Sequence, residues 1–320
     1  MVRMISNFAR VLLRNSPVRM TVVVAFAWAG LAAPAVAAGA RQTTFASPEQ
    51  AVEALYEAMS TDNIGGLLKM FGPESKPLVK SGDPVADEEV REKFESEYKE
   101  ANKIVREGDD KAILVIGEDE WPFPIPIVKQ HDVWRFDTKA GKEEILNRRI
   151  GNNELSAIEV CGAYVDAQRE YATKDRNNDG FIEYATKFLS SPGKHDGLYW
   201  PVNEGEEESP LGPLVGSAQA AGYGGKHAEG KRVPYHGYYY KILTRQGENA
   251  PGGAYDYIVN GHMIGGFALV AFPAQYGASG IMTFIVSHAD VVYQKDLGPN
   301  TAKIASQMKV FDPDSSWTKP

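Results

Sequence analysis

The sequence predicts an α+β protein, with N-terminal helices and a small sheet, then a long helix packed on an antiparallel meander. Three observations lead there. Apolar residues recur at three- and four-residue intervals before residue 105 and again from 155 to 172, the spacing of one helix face. From Gly237 the period becomes two, in segments rich in β-branched and aromatic residues. The turns between those segments are too short for parallel crossovers, so their strands are expected to run antiparallel.

The first 37 residues stand outside that fold. Arg3, Arg10, Arg14 and Arg19 form a basic region, residues 21–31 are apolar and uncharged, and Ala35-Val36-Ala37 offers small residues at a cleavage spacing. This is the pattern of a secretory signal peptide. The apolar run is shorter than the roughly 18 residues a membrane span needs. The expected organisation is a signal peptide at 1–37, a small α+β domain at 38–151 and a second α+β domain at 152–320. The mature chain is expected in the periplasm or outside the cell, and not as an integral membrane protein. Residues 1–37 carry four arginines and no acid, so their removal takes the formal charge from −8 to −12. That charge argues against nucleic acid as a partner. Cys161 is the only cysteine, which excludes an internal disulfide, and its place on an apolar helix face predicts an inert buried thiol.

Residues 47–60 read as a helix capped by Ser47, with Pro48 in the first helical position and Gln50 completing a capping box. Ala51, Ala54, Leu55, Ala58 and Met59 form its apolar side. A short helix opens at Asp62 and ends at Gly72-Pro73, and residues 86–105 predict a third with a charged, solvated face. Strands follow at 112–116, 123–128 (edge-like, because proline interrupts it) and 133–137. Residues 137–149 return to helix, with Glu143 and Glu144 early and Arg148 and Arg149 late, as the helix dipole favours. Gly151 is expected to end it and to mark the domain boundary. Helices followed by strands are similar in order to nuclear transport factor 2-like domains, a resemblance that implies a small cone with an apolar pocket.

Asn152 or Asn153 can cap a new helix, and Ser156 with Glu159 has capping-box spacing one turn later. Leu155, Ile158, Cys161, Val165, Gln168 and Ala172 then share one face, bordered by Tyr164 and Tyr171. An acidic loop follows. Asp175, Asn177 and Asp179 place oxygens on alternate residues ahead of Gly180 and Ile182, which matches the first half of a calcium loop. Thr186 stands where a bidentate glutamate is needed, so Glu183 is the remaining carboxylate for a weaker, wetter site. The expected metal ligands are therefore Asp175, Asn177, Asp179 and Glu183, with calcium as the one possible cofactor. The competing reading is an acidic turn between two helices that binds nothing.

Further along, Asp196, Tyr199 and Trp200 join a carboxylate to two aromatics. Such a group can stack on a sugar or peptide, or can plug the helix–sheet core while Asp196 caps a turn. Residues 203–230 read as a long loop. Its Gly222-Tyr-Gly224-Gly225-Lys226-His227 is not a phosphate loop, because Ala220 replaces the leading glycine and His227 the hydroxyl residue. Strands are predicted at 238–243, 254–259, 267–272, 282–286 and 291–294, and a helix at 301–308. The six histidines, His131, His195, His227, His236, His262 and His288, show no helical ligand spacing. A loop-built site from His195, Asp196, His227 and His236 is the one metal arrangement they leave open. No Gly-x-Ser-x-Gly elbow occurs, and Ser279 reads as part of a hairpin turn.

Residues 153–158, Asn153-Glu154-Leu155-Ser156-Ala157-Ile158, with Ala167-Gln168 and Tyr171-Ala172, resemble the pilin-like helix of bacterial secreted proteins. The helix, loops and meander together look like the globular part of type IV pilins and pseudopilins. No processing site precedes this helix, so the resemblance implies a pilin-like domain used away from a filament. The whole mature chain resembles the uncharacterised secreted bacterial family Domain of Unknown Function 2950. The motifs that carry this are Gly82-Asp83-Pro84-Val85-Ala86-Asp87, Asn153-Glu154-Leu155, Asp196-Gly197-Leu198-Tyr199-Trp200-Pro201, Ser209-Pro210-Leu211-Gly212-Pro213, Gly265-Gly266-Phe267-Ala268 and Lys295-Asp296-Leu297-Gly298-Pro299. This resemblance implies secretion and brings no activity. The functional expectation is an exported binding or scaffold module whose partner is an envelope protein or glycan. Its alternative is an envelope hydrolase of glycan or peptide that uses loop carboxylates such as Asp196 and Glu204.

Overall fold

Ser47 accepts the Gln50 backbone N–H at 3.3 Å and starts α1 (Pro48–Ser60) as predicted, while the Gln50 side chain reaches one residue past the cap and accepts from Ala46 N–H at 3.2 Å. The computed structural model describes residues 42–202, 205–221, 223 and 233–320. The signal-peptide pattern, Glu204, His227 and most of the rejected phosphate loop lie outside the described residues.

Asn63 caps α2 (Ile64–Phe71), and α3 (Lys76–Val79) and α4 (Pro84–Glu100) follow. The helix expected to reach residue 105 stops at Glu100, and its last residues become β1 (Asn102–Glu107). β1 pairs along its whole length with β2 (Lys111–Ile116), from Asn102 opposite Ile116 to Glu107 opposite Lys111. Gly108, at φ +74°, supplies the tight turn between them. The strand pairing satisfies the backbone of these residues, and Ile104 and Val105 are β-branched. β3 (Trp121–Pro122), β4 (Ile127–Gln130) and β5 (Val133–Phe136) complete the sheet, in the order β1-β2-β4-β5 with β3 also on β2. Leu55, Phe71 and Phe94 from the helices pack against Leu114, Ile127, Trp134 and Phe136 in one hydrophobic core.

The long helix is a single element. α5 runs from Thr138 to Tyr171, so Gly151 does not end a helix and Asn152 and Asn153 do not cap one. A glycine inside a helix costs about 1 kcal/mol, and the contacts on either side outweigh it. Arg149 donates to the carbonyls of Pro77 and Leu78 at 2.7 Å each, and Asn153 donates to Ser279 O at 2.8 Å. Glu154 accepts the N–H groups of Ile281 and Met282 at 2.9 and 3.0 Å. The side chains that read as caps are thus used to tie the helix to distant backbone. Gly141 permits a close approach near the start of α5, where a Cβ would lie 2.4 Å from Pro124 O.

The C-terminal half of α5 buries Ala157, Cys161, Tyr164, Val165, Gln168 and Tyr171 in a second core. Tyr164 and Tyr171 sit inside this stripe and not at its border, while Leu155, expected in it, is 63% exposed. Burial pushes the Cys161 thiol up to about 12, so it is inert in the folded chain.

α6 (Gly212–Ala220) occupies part of the stretch read as loop. The predicted meander is confirmed with one strand displaced. β6 (Tyr238–Leu243) is followed by four two-residue strands, β7 (Arg245–Gln246), β8 (Tyr255–Asp256), β9 (Ile258–Val259) and β10 (His262–Met263). Then come β11 (Ala268–Pro273), β12 (Met282–Ser287) and β13 (Tyr293–Asp296), α7 (Thr301–Gln307) and β14 (Val310–Phe311). The main antiparallel sheet has the order β13-β12-β11-β6. Residues 254–259 leave it, to form β8, which pairs with β7 in a separate sheet of order β14-β7-β8, and β9, the first strand of the β9–β10 hairpin. All six residues of β11 are buried, which suits a central strand, whereas 254–259 exposes Tyr255 and Val259.

Asp83 joins the two cores. It is fully buried, caps α4 by accepting from Val85 and Ala86 N–H, and accepts Tyr223 OH and Gly237 N–H at 2.8 Å each through its other oxygen. No helix among the described residues is long and apolar enough to cross a membrane.

Candidate functional site: the acidic loop and its hairpin

α5 ends at Tyr171, and the chain turns through the acidic loop. Asp175 accepts the N–H groups of Asp179 and Gly180 at 3.3 and 2.8 Å, and Asp179 accepts Phe181 N–H at 3.0 Å. Asn178 and Gly180, at φ +59° and +92°, allow the reversal. No second helix follows, so the expected turn between two helices is absent. Residues 181–184 run extended beside β10 instead, with Tyr184 N–H donating to Met263 O at 2.8 Å.

That path brings a residue from the hairpin into the loop. His262 Nδ1 lies 3.2 Å from Glu183 Oε2 and 3.5 Å from Asp179 Oδ2. Glu183 Oε2 also accepts Met263 N–H at 3.2 Å, and Phe181 stacks on the His262 ring at 3.9 Å between centroids. Asn177 Nδ2 donates to Asp179 Oδ2 at 2.8 Å and to Glu183 Oε1 at 2.7 Å. Of the four residues expected to share a cation, Asn177, Asp179 and Glu183 converge. Asp175 stands behind them, its oxygens turned to the backbone. His262 was visible in the sequence only as one of six loop histidines. Its meeting with Glu183, 79 positions away, has no local signal.

The second candidate group lies close by. Trp200 is buried, stacked on His195 at 4.3 Å and covered by the Arg176 guanidinium at 5.6 Å. Arg176 also lies over Tyr171 and pairs with Glu207 at 3.1 Å. Tyr199 is half-buried, its N–H bonded to Phe188 O at 2.8 Å. Asp196 pairs with Lys187 at 2.7 Å and accepts Ser191 N–H at 2.7 Å. Burial works to raise the Asp196 carboxyl, but the Lys187 and Ser191 hydrogen bonds prevail and hold it at about 2. Tyr171 links the groups. Its hydroxyl donates to His195 O at 2.8 Å, and burial, reinforced by the charges of Glu183 and Asp196, pushes it up to about 12.

Among the described residues, His195, Asp196 and His236 do not gather into a metal group. His236 sits beside Tyr223 and Tyr235, and burial lowers its pKa against the pull of Asp83, Glu89 and Glu159. Ser279 bonds Gln275 within the β11–β12 turn, as the sequence suggested.

Comparison with known families matches residues 42–319 to the model described as "Protein of unknown function (DUF2950)". The chain belongs to that family, as its motifs suggested. No curated protein and no solved structure matches it.

Proposed function

For this DUF2950 member we propose an exported binding or scaffold module of the cell envelope, whose partner is an envelope protein or glycan. Export rests on the arginine-rich start and the Ala35-Val36-Ala37 spacing. The observation that carries the binding role is an exposed apolar set around the acidic loop. Phe181, Ile182, Val259 and Ile264 are between 45% and 61% exposed, and all lie on the two segments that meet at His262. Apolar side chains grouped on a folded surface mark contact sites more often than scattered ones do. The hydrolase alternative is weakened by Asp196. A carboxylate held at about 2 by a lysine and a backbone N–H is a poor proton donor near neutral pH.

Two measurements test this reading. Mass spectrometry of the envelope fraction should find a mature N-terminus near Ala38, and a full-length cytoplasmic chain would contradict export. A photo-crosslinking residue at Ile182 should capture a discrete protein or glycan adduct in intact cells. Ile264→Ser, at a 48% exposed position that the loop contacts do not use, should abolish that adduct without changing the melting temperature. Crosslinking no greater than from an exposed position on α1, such as Glu57, would remove the proposed face.

A further inference from the structure

Asp179, Glu183 and His262 are the only group of three or more His, Cys, Asp or Glu side chains among the described residues whose ligand atoms all lie within 4.8 Å of one another. We propose that these three, with the Asn177 amide oxygen, form a site for a divalent transition metal, best fitted by zinc. This ligand set differs from the oxygen-only calcium set read from the loop sequence, because Asp175 drops out and a nitrogen donor from another element enters.

The donor chemistry makes the choice of ion. Calcium and magnesium take oxygen ligands, whereas imidazole combined with carboxylates suits zinc and its neighbours. Bonds of about 2.0–2.2 Å in a tetrahedral zinc site set ligand atoms roughly 3.3–3.6 Å apart. His262 Nδ1 already lies 3.2 and 3.5 Å from the two carboxylate oxygens. The surrounding contacts hold the ligands in that arrangement. Phe181 fixes the plane of the imidazole, and Met263 N–H fixes one oxygen of Glu183.

The Asn177 amide occupies the space between the two carboxylates, bonded to both. A half-turn of that amide gives up the 3.3 Å bond its oxygen accepts from Asp179 N–H and directs that oxygen inward as a fourth ligand. Among the described residues no lysine or arginine pairs with Asp175, Asp179 or Glu183, and Asp179 and Glu183 face one another across a neutral amide and an imidazole. A divalent ion there removes that repulsion. Side-chain exposures of 33% for Asp179 and 23% for His262 leave a route from solvent. Bound metal would clamp the end of α5 to the β9–β10 hairpin.

The test uses the mature chain, stripped with chelator and titrated with zinc chloride by calorimetry, with elemental analysis of the dialysed product. One equivalent of zinc should bind and raise the melting temperature. His262→Ala and Glu183→Gln should each weaken binding tenfold or more, whereas His195→Ala should leave it unchanged. Cobalt in place of zinc should give the visible absorption of a tetrahedral site. Melting curves in chelator show whether each variant folds. If His262→Ala does not, His262→Gln, which keeps a hydrogen-bonding group without the imidazole, decides. Three results overturn the proposal: no zinc binding by the folded parent, zinc binding indifferent to both substitutions at 262, or millimolar calcium stabilising parent and His262→Ala alike. The zinc titration uses purified protein with no partner present, so its outcome stands apart from those of the crosslinking and export experiments.

Discussion

Around Asp196 the acidic side chains have cations beside them. Lys187 holds Asp196, and Arg176, buried over Trp200, holds Glu207. In the acidic loop, one helix end away, Asp179 and Glu183 have backbone N–H groups, an amide and an imidazole beside them, and no lysine or arginine among the described residues. The two regions share residue types and a common neighbour in Tyr171, yet one is satisfied internally and the other is not. Neutralised carboxylates and buried aromatics make a structural plug. Carboxylates that converge without a cation leave capacity for one from solution.

Substitutions can break that contrast from either side. The largest effect is expected from Trp200→Ala, which empties a buried site beneath Arg176 and His195. Urea denaturation should show a loss of about 3–5 kcal/mol. A cost below about 1 kcal/mol would mean that Trp200 is not part of the core.

Next is Asp196→Asn, which removes the ion pair with Lys187 and should cost about 1–2 kcal/mol at pH 7. The pH dependence has a definite sign. The folded carboxyl titrates at about 2, below its ordinary value of 3.8, so its contribution is present above about pH 4 and is lost as pH falls through 2. Acid denaturation of the variant should lack this component. An unchanged profile would place the ion pair in solvent.

Asp175→Ala should cost about 1 kcal/mol by freeing two N–H groups of the loop. If the loop retains its shape, zinc stoichiometry should stay at one, because Asp175 lies behind the ligands. Loss of zinc with an intact fold would return Asp175 to the ligand set. The smallest effect belongs to Glu183→Gln in chelator, where relief of repulsion with Asp179 offsets the altered hydrogen bonds. The expected change is within about 0.5 kcal/mol. A larger loss would show that Glu183 is a structural acceptor first.

Much of the chain was legible locally. The cap at Ser47, the helix at 301–307 and four of the five later strands follow from patterns that act within a few residues. The two groups of candidate residues were also legible, since Asp179 with Gly180 and Tyr199 with Trp200 are adjacent in sequence. Leu155 shows where the local reading failed. Its spacing fits the apolar stripe, but the phase of that stripe is decided by the sheet, which takes Tyr164 and Tyr171 into the core and leaves Leu155 in water.

The sequence by itself determined the α+β class, the family and the residues available to a site, because helix caps, turn glycines and alternation are short-range effects. Only the tertiary structure decided that Gly151 stays helical, since Arg149, Asn153 and Glu154 spend their polar groups on distant backbone. It likewise decided that residues 254–259 leave the main sheet and carry the β9–β10 hairpin to the loop. The pairing of His262 with Glu183 follows from that detour. It spans 79 residues, and no local preference sets the distance between two side chains on separate elements.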